Sequence, residues 1–164
     1  LHPVLSRLGP DLLDSSFDFD LAYERLLAPD RDAVTIAEAL LDQNVVAGIG
    51  NVYRSEVLFI ERTDPFAPAT SIGRADAQRL IESAIGLLRA NLDGGERITM
   101  PDASGASPGS RAVRRSATKW VYGRTGRPCR RCGHTIRSTR IGDLPRRLYW
   151  CATCQRPDHD PADR

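Results

Sequence analysis

The sequence predicts a mainly α-helical fold that is followed by a small β-hairpin. Apolar residues recur at helical spacing through most of residues 19–92, whereas the strand-like segment RRLYWC stands alone near the C-terminus. Two C-x-x-C pairs, Cys129 with Cys132 and Cys151 with Cys154, bracket 18 residues that can run out and back as a hairpin. At 164 residues and 41% apolar composition, the chain can hold one ordinary domain with a small appendage.

The first two predicted helices lie before the glycine-rich turn. The first carries leucines at helical spacing, has Asp18 or Asp20 as its cap, and stops before Pro29. The second lies in DAVTIAEALLDQ, whose apolar residues form one broad face, and Asp32 is its expected cap.

Two further helices follow. One extends from about Asn51 to Glu61, and the other from about Ala75 to Leu92, where Gly94 and Gly95 are expected to close it. The next stretch is rich in Gly, Pro and Ser and has no periodicity, which predicts a loop. We therefore divide the chain into a helical domain (1–95), a flexible loop and basic linker (96–118), a four-cysteine hairpin (119–156) and a disordered tail (157–164).

The net charge of +2 conceals an uneven distribution of charge. Residues 1–110 hold nine Arg against 17 acidic residues, whereas residues 111–147 hold twelve cations against Asp143 alone. Such a block repels itself in isolation, so it favours a polyanionic partner. The alternative is a solvated or disordered basic tail.

The two cysteine pairs have the spacing of a tetrahedral thiolate site for one zinc ion, with Cys129, Cys132, Cys151 and Cys154 as ligands. Four thiolates leave no open coordination position, so this zinc is expected to be structural. Two disulfides are the competing interpretation, but nothing in the sequence signals secretion. His134 follows the first pair, and we expect it to face solvent rather than the metal.

The segment Gly48-Ile49-Gly50-Asn51 separates two helices. A helix N-terminus presents unpaired N–H groups and a partial positive charge, and glycines let a ligand approach the backbone, so this turn suits a phosphate. Asn51 adds an amide that could bind phosphate or cap the helix. Packing and capping alone are the alternative explanation for such a turn.

Three segments together resemble the formamidopyrimidine-DNA glycosylase and endonuclease VIII family. LDQNVVAGIGNVYRSEVLF is similar to its helix–two-turns–helix motif, and VYGRTGRPCRRCG with RRLYWCATCQ is similar to its C-terminal zinc finger. The resemblance covers most of residues 5–156 and is closer to the endonuclease VIII branch. It implies a helix–two-turns–helix domain followed by a small β-hairpin zinc finger.

The resemblance also implies which residues bind DNA phosphate. Asn51 matches the family's phosphate-binding asparagine at the glycine turn, formed here by Gly48 and Gly50, and Arg146 matches its arginine five residues before the third zinc ligand. Arg147 is a neighbouring cation without a matching family position. Further cations are expected to add to the field around DNA: Arg111, Arg114, Arg115, Lys119, Arg124, Arg127, Arg137 and Arg140.

The family's catalysis uses an N-terminal proline amine with an adjacent glutamate, and neither matches the start Leu1-His2-Pro3. We assign no catalytic residue to this chain and expect the β-sandwich domain that carries them to precede it. Glu56 is an acid or base candidate by type, but a structural role is favoured, in which it pairs with Arg54 or a neighbouring helix or orients the turn. The loop from Thr99 to Ser110 could cover a flipped base.

The sequence thus predicts the DNA-binding part of a glycosylase and abasic-site lyase that excises oxidised bases, with pyrimidines as the expected substrates. The alternative is a stand-alone, zinc-stabilised nucleic-acid-binding module without catalysis. The expected partner is damaged double-stranded DNA, bound by a monomer in the bacterial cytosol and nucleoid. No membrane span or signal-peptide pattern is recognisable.

Overall fold

The computed structural model describes residues 8–31, 33–92, 97–100, 118–142 and 146–156. Within these ranges the fold is four α-helices followed by one antiparallel hairpin, which confirms the predicted mainly α class. The elements are α1 (Phe19–Leu26), α2 (Ile36–Ala39), α3 (Asn51–Ile60), α4 (Arg74–Ala90), β1 (Arg137–Ile141) and β2 (Arg146–Trp150), with short 3-10 turns at Pro29–Arg31 and Ala69–Ser71. No helix of the described part has the length and apolar character that a bilayer crossing requires.

The first two helices begin at side-chain caps. Asp18 caps α1, and its Oδ1 accepts the N–H of Leu21 at 3.0 Å, as the sequence predicts. The cap of α2 is Thr35 rather than Asp32, which lies outside the described residues. Thr35 and Glu38 form a reciprocal capping box, a T-x-x-E pattern that is legible in the sequence.

The end of α4 differs from the prediction. The helix stops at Ala90, because the side chain of Asn91 turns the chain by donating to the carbonyl oxygens of Leu87 (2.7 Å) and Ile98 (2.9 Å). Gly94 and Gly95, which were expected to close the helix, lie outside the described residues. Asn91 is therefore the C-cap of α4, and the closing role expected of the glycines stays a prediction.

Helix α3 lies at the centre of the molecule. Every residue from Val52 to Phe59 is buried, since α4 packs on one side of the helix and β2 on the other. Its residues Tyr53, Val57 and Leu58 join the main core, which also includes Leu12 and Ile36. Because its polar residues are buried as well, each must find a hydrogen-bonding partner inside the protein.

The hairpin is attached to the helices by its own core residues. Leu148 of β2 is fully buried within the helical core, and Trp150 packs edge-on against Phe66 with ring centroids 4.9 Å apart. A second cluster surrounds the cysteines, where Trp120 packs against Phe59 of α3. The two tryptophans are therefore packing anchors of the hairpin and finger, and α3 contributes residues to both cores.

The predicted loop after α4 is only partly described. Its first residue, Thr99, is buried, and its N–H donates to the carbonyl oxygen of Thr118 at 2.9 Å. The two ends of the linker are therefore joined at this point. Residues 101–117, including most of the stretch expected to cover a flipped base, and the tail from 157 onward lie outside the described residues.

Candidate nucleic-acid interface and zinc centre

The four cysteines converge on one point. Their Sγ atoms all lie within 4.8 Å of one another, and two of the separations are 3.9 Å (Cys129 to Cys154) and 3.5 Å (Cys132 to Cys151). Sulfurs around a tetrahedral zinc with bonds of about 2.3 Å stand roughly 3.8 Å apart, so the cluster fits this ion. All four cysteines are free, which rules out the disulfide alternative within the described part of the chain. The chain therefore has one structural zinc site.

The electrostatics of the cluster reflect how closely its four sulfurs are grouped. Burial, together with the adjacent thiols of Cys132, Cys129 and Cys151, raises the pKa of the Cys154 thiol. Four adjacent thiolates would repel one another without a positive ion between them, and zinc removes that penalty by coordinating the sulfurs. His134 is exposed and lies outside the cluster; its carbonyl oxygen accepts the N–H of Cys129 at 2.7 Å, as expected for a knuckle turn.

An open cleft of about 640 Å³ separates the glycine turn from the hairpin, and we call it the interface cleft. Three of the predicted phosphate-binding residues, Gly50, Asn51 and Arg146, line it together, although Asn51 and Arg146 are 95 residues apart in sequence. We refer to these three residues as the phosphate seat. The cleft also contains an Arg31–Asp42 ion pair (2.7 Å), so these two charges offset each other.

The side chain of Gln43 braces the glycine turn. Its Oε1 accepts the N–H of Gly48 at 3.1 Å, and its Nε2 donates to the carbonyl oxygen of Ile49 at 3.2 Å. Gly48 itself has φ +114°, a backbone conformation that side-chain-bearing residues rarely adopt. Gly48 does not line the interface cleft, so its structure accounts for the shape of the turn, and its phosphate role stays a prediction.

Asn51 joins α3 to the hairpin. It is the first residue of α3, whose cap is Gly50, and its Nδ2 donates to the backbone oxygen of Arg147 at 3.0 Å. Its Oδ1 accepts a hydrogen bond from the guanidinium of Arg54. One N–H of the amide remains for a ligand, because an asparagine amide has two donor hydrogens. The N–H groups of the first turn of α3 have no partner among the described residues, so they too can serve an anion.

Arg54 is fully buried beneath Asn51. Besides Asn51, it donates from Nη1 to the carbonyl oxygen of Ala37 at 3.4 Å, and its Nε has no partner in the described structure. Burial lowers the pKa of Arg54 to about 10, so the group keeps its charge at neutral pH. The interface cleft therefore has a buried positive charge in its wall.

The two neighbouring arginines of β2 lie on opposite faces of the strand. Arg146 is exposed and lines the interface cleft, on the same face as the buried Leu148. The guanidinium of Arg147 instead donates to Oγ of Ser138 at 3.0 Å, outside the cleft. Arg147 thus contributes its backbone oxygen to the asparagine contact, and a phosphate role for its side chain stays a prediction.

Glu56 holds the segment that leads into the zinc finger. Its fully buried carboxylate accepts the backbone N–H groups of Trp120 (2.8 Å), Val121 (2.9 Å) and Tyr122 (2.8 Å), as well as the hydroxyl of Thr99. The structural role that the sequence favoured is confirmed, although the partners are these amides and not Arg54 or a neighbouring helix.

The expected field of cations is reduced by burial. Arg124 and Lys119 are 5% and 6% exposed, and Arg124 donates to the carbonyl oxygens of Trp120 and Pro128. These two residues therefore serve the packing of the finger, and their contribution to the field around DNA stays a prediction. Other expected cations are exposed, namely Arg127, Arg137 and Arg140, whereas Arg111, Arg114 and Arg115 lie outside the described residues.

Sequence reasoning missed two residues of the site, Gln43 and Arg54. Both lie within the quoted motif, but their types gave no reason to place them under a backbone turn or inside a core. The usable signal was spacing, because Arg54 is three residues after Asn51 and thus on the same face of the helix.

Two family models match the chain. The formamidopyrimidine-DNA glycosylase H2TH domain matches residues 8–102, which is more than half of the chain, and a zinc finger found in FPG and IleRS matches residues 126–157. The second match includes all four cysteines of the zinc site.

Curated relatives agree with these models. Endonuclease 8 2 of Mycobacterium tuberculosis is 44% identical over 154 residues, covering 93% of this chain and 54% of that protein. The DNA-(apurinic or apyrimidinic site) lyase Nei2 of Mycolicibacterium smegmatis is 40% identical over 153 residues, with the same two coverages. The chain thus spans about half the length of the curated relatives that it matches.

Solved structures share the fold. The MutM (Fpg) protein of Thermus thermophilus superposes with a TM-score of 0.70 at 34% identity, over 94% of this chain and 56% of that one. Lactococcus lactis formamidopyrimidine-DNA glycosylase, bound non-covalently to DNA containing an AP site, gives 0.69 at 26% identity, over 93% and 52%. With both family models in register with the helical core and the zinc finger, this chain belongs to the formamidopyrimidine-DNA glycosylase and endonuclease VIII family.

Proposed function

We propose that this chain is the DNA-binding, helix–two-turns–helix and zinc-finger part of a DNA glycosylase and abasic-site lyase of base excision repair. Its substrate is damaged double-stranded DNA, with oxidised pyrimidines as the bases removed. The endonuclease 8 relatives and the DNA-bound glycosylase of similar fold support this proposal.

The observation that carries the proposal is the phosphate seat. Gly50 and Asn51 at a helix N-terminus line the interface cleft together with the exposed Arg146 of the hairpin. This arrangement offers backbone amides, a side-chain amide and a guanidinium to one anionic backbone. Such contacts position a duplex without reading its sequence, so recognition of the damaged base must come from elsewhere in the enzyme.

The chemistry of base removal, in this proposal, lies outside residues 1–164. The family's nucleophile is a proline amine followed by glutamate, and no Pro-Glu pair occurs in this sequence. We propose that a β-sandwich domain supplies this pair. The present chain then binds DNA as a monomer in the cytosol, through its helical domain (1–95), linker, finger and tail.

Binding of the 164-residue chain to a fluorescent duplex that contains a tetrahydrofuran abasic-site analogue tests the proposal. Fluorescence anisotropy at several salt concentrations gives both Kd and its salt dependence. We expect Arg146→Ala to weaken binding by about tenfold and to reduce the salt slope by about one, since one phosphate contact is lost. Asn51→Ala should weaken binding by about tenfold.

The matched control is Arg89→Ala. Arg89 is an exposed arginine of α4 that does not line the interface cleft, so the substitution removes the same charge without touching the phosphate seat. It should leave Kd within about twofold. Equal effects of the Arg146 and Arg89 substitutions, or a Kd independent of salt, would refute the proposal.

A further inference from the structure

Arg54 is a buried charge that forms no ion pair with a carboxylate in the described part of the chain. Among the described residues no acidic oxygen forms an ion pair with its guanidinium, and its two hydrogen-bond acceptors, Asn51 and Ala37, are neutral. Glu38 is the anion that most favours its charged form, but that carboxylate is already engaged by the N–H and hydroxyl of Thr35. Buried charges in proteins are ordinarily paired, whereas among the described residues Glu38 attracts this one without an ion pair or a hydrogen bond.

The hydrogen bonds of Arg54 control how Asn51 is presented. Because the guanidinium can only donate, it requires the oxygen of the Asn51 amide to face it. The amide nitrogen then faces the hairpin, where it donates to the oxygen of Arg147 and keeps one N–H for a ligand. A chain of hydrogen bonds thus runs from Ala37 in α2 through Arg54 and Asn51 to β2.

Building on the proposed function, we infer that Arg54 is a positioning residue of the phosphate seat, which orients Asn51 and supplies a buried positive charge whose counter-charge is a DNA backbone phosphate. Arg54 is 0% exposed, so it acts without touching the DNA. Its charge is felt strongly because the surrounding protein screens it less than water would.

A second buried arginine provides the matched control. Arg124 is 5% exposed, donates to two carbonyl oxygens and also has an unpartnered Nε, but it does not line the interface cleft and has no bond to Asn51. Substituting Arg124 removes an equally buried guanidinium and leaves the presentation of Asn51 intact.

The test measures Kd for the same abasic-analogue duplex with Arg54→Met and Arg54→Lys, alone and combined with Asn51→Ala. Methionine fills the space without charge, and lysine keeps the charge but lacks the planar fork. We expect Arg54→Met to weaken binding by about tenfold and Arg54→Lys by less. The double variant Arg54→Met/Asn51→Ala should bind no more than about threefold worse than Asn51→Ala alone, because both substitutions remove the same phosphate contact of Asn51.

The control pair behaves differently. Arg124→Met combined with Asn51→Ala should show multiplied losses, since the two sites are independent. Full additivity for the Arg54 pair, or Arg54→Met binding as well as Arg54→Lys, overturns the inference. Failure of the Arg146→Ala substitution to weaken binding would instead refute the proposed function, so the two failures are distinguishable.

A measurement on the unsubstituted protein covers the case in which an Arg54 variant does not fold. Buried guanidinium Nε–H groups give resolved NMR signals, and the signals of Arg54 Nε and Asn51 Nδ2 are followed while the duplex is added. Both signals should shift together with the same Kd. A shift of the Asn51 signal with an unchanged Arg54 signal overturns the inference.

Discussion

The buried carboxylate of Glu56 offers the sharpest stability prediction, because its partners join two parts of the fold. Three backbone N–H groups, at residues 120–122, and the hydroxyl of Thr99 donate to its two oxygens. Glu56→Gln preserves the shape of the side chain but replaces one acceptor oxygen with an NH₂ group. Oε1 can still accept from Val121 and Tyr122, whereas the NH₂ group of the glutamine lies opposite the N–H of Trp120, so two donors face each other without an acceptor.

The magnitude follows from these contacts. A hydrogen bond to a charged group contributes about 1.5–3 kcal/mol, and a buried donor left without an acceptor costs about 1–3 kcal/mol. We therefore expect Glu56→Gln to lower the free energy of unfolding by about 2–4 kcal/mol. Glu56→Ala, which strands three amides, should cost about 3–6 kcal/mol by the same estimate.

Urea unfolding followed by circular dichroism measures this change, with Glu24→Gln as the control. Glu24 is exposed on α1, so its substitution should alter stability by less than about 0.5 kcal/mol. Amide hydrogen exchange should also accelerate at residues 120–122 in Glu56→Gln and not in the control. A loss below about 1 kcal/mol with unchanged exchange at these amides would show that the carboxylate is not their anchor.

Other features yield further predictions. Removing zinc with a chelator should expose Trp120, shift its fluorescence and weaken DNA binding. The reason is that three of the zinc ligands form part of the small core around Phe59. Zinc-free protein with unchanged fluorescence and DNA binding would contradict this account. Gly48→Ala should cost about 1–3 kcal/mol in urea unfolding owing to the backbone angle at this position, and a neutral effect would mean that the turn can rearrange freely. Borohydride reduction on abasic-site DNA should trap no covalent adduct of the 164-residue chain, and a trapped adduct would show that residues 1–164 contain the nucleophile.

Much of the fold could be predicted because its signals are local. Asp18 caps α1 as expected, and the spacing of the cysteine pairs predicts the zinc site, since capping and metal coordination depend on residue type within a few positions. The signal for the cap of α2 is also local, but Asp32 and Thr35 are both suitable N-cap residues by type. The capping box that Thr35 forms with Glu38 decides between them.

The sequence by itself determined the helices and the zinc ligands. Through its resemblance to a family it also singled out Asn51 and Arg146 as predicted phosphate contacts. Only the tertiary structure decided that these two residues line one cleft, that Arg54 lies buried beside them without an ion-pair partner among the described residues, and that Glu56 anchors the entry to the finger. The physical reason is that α3 is enclosed by both cores, so its polar residues are satisfied by segments distant in sequence. The burial of Arg124 has the same explanation. An arginine within a basic block is expected to contact DNA, and only the packing shows that its guanidinium bonds to carbonyl oxygens inside the protein.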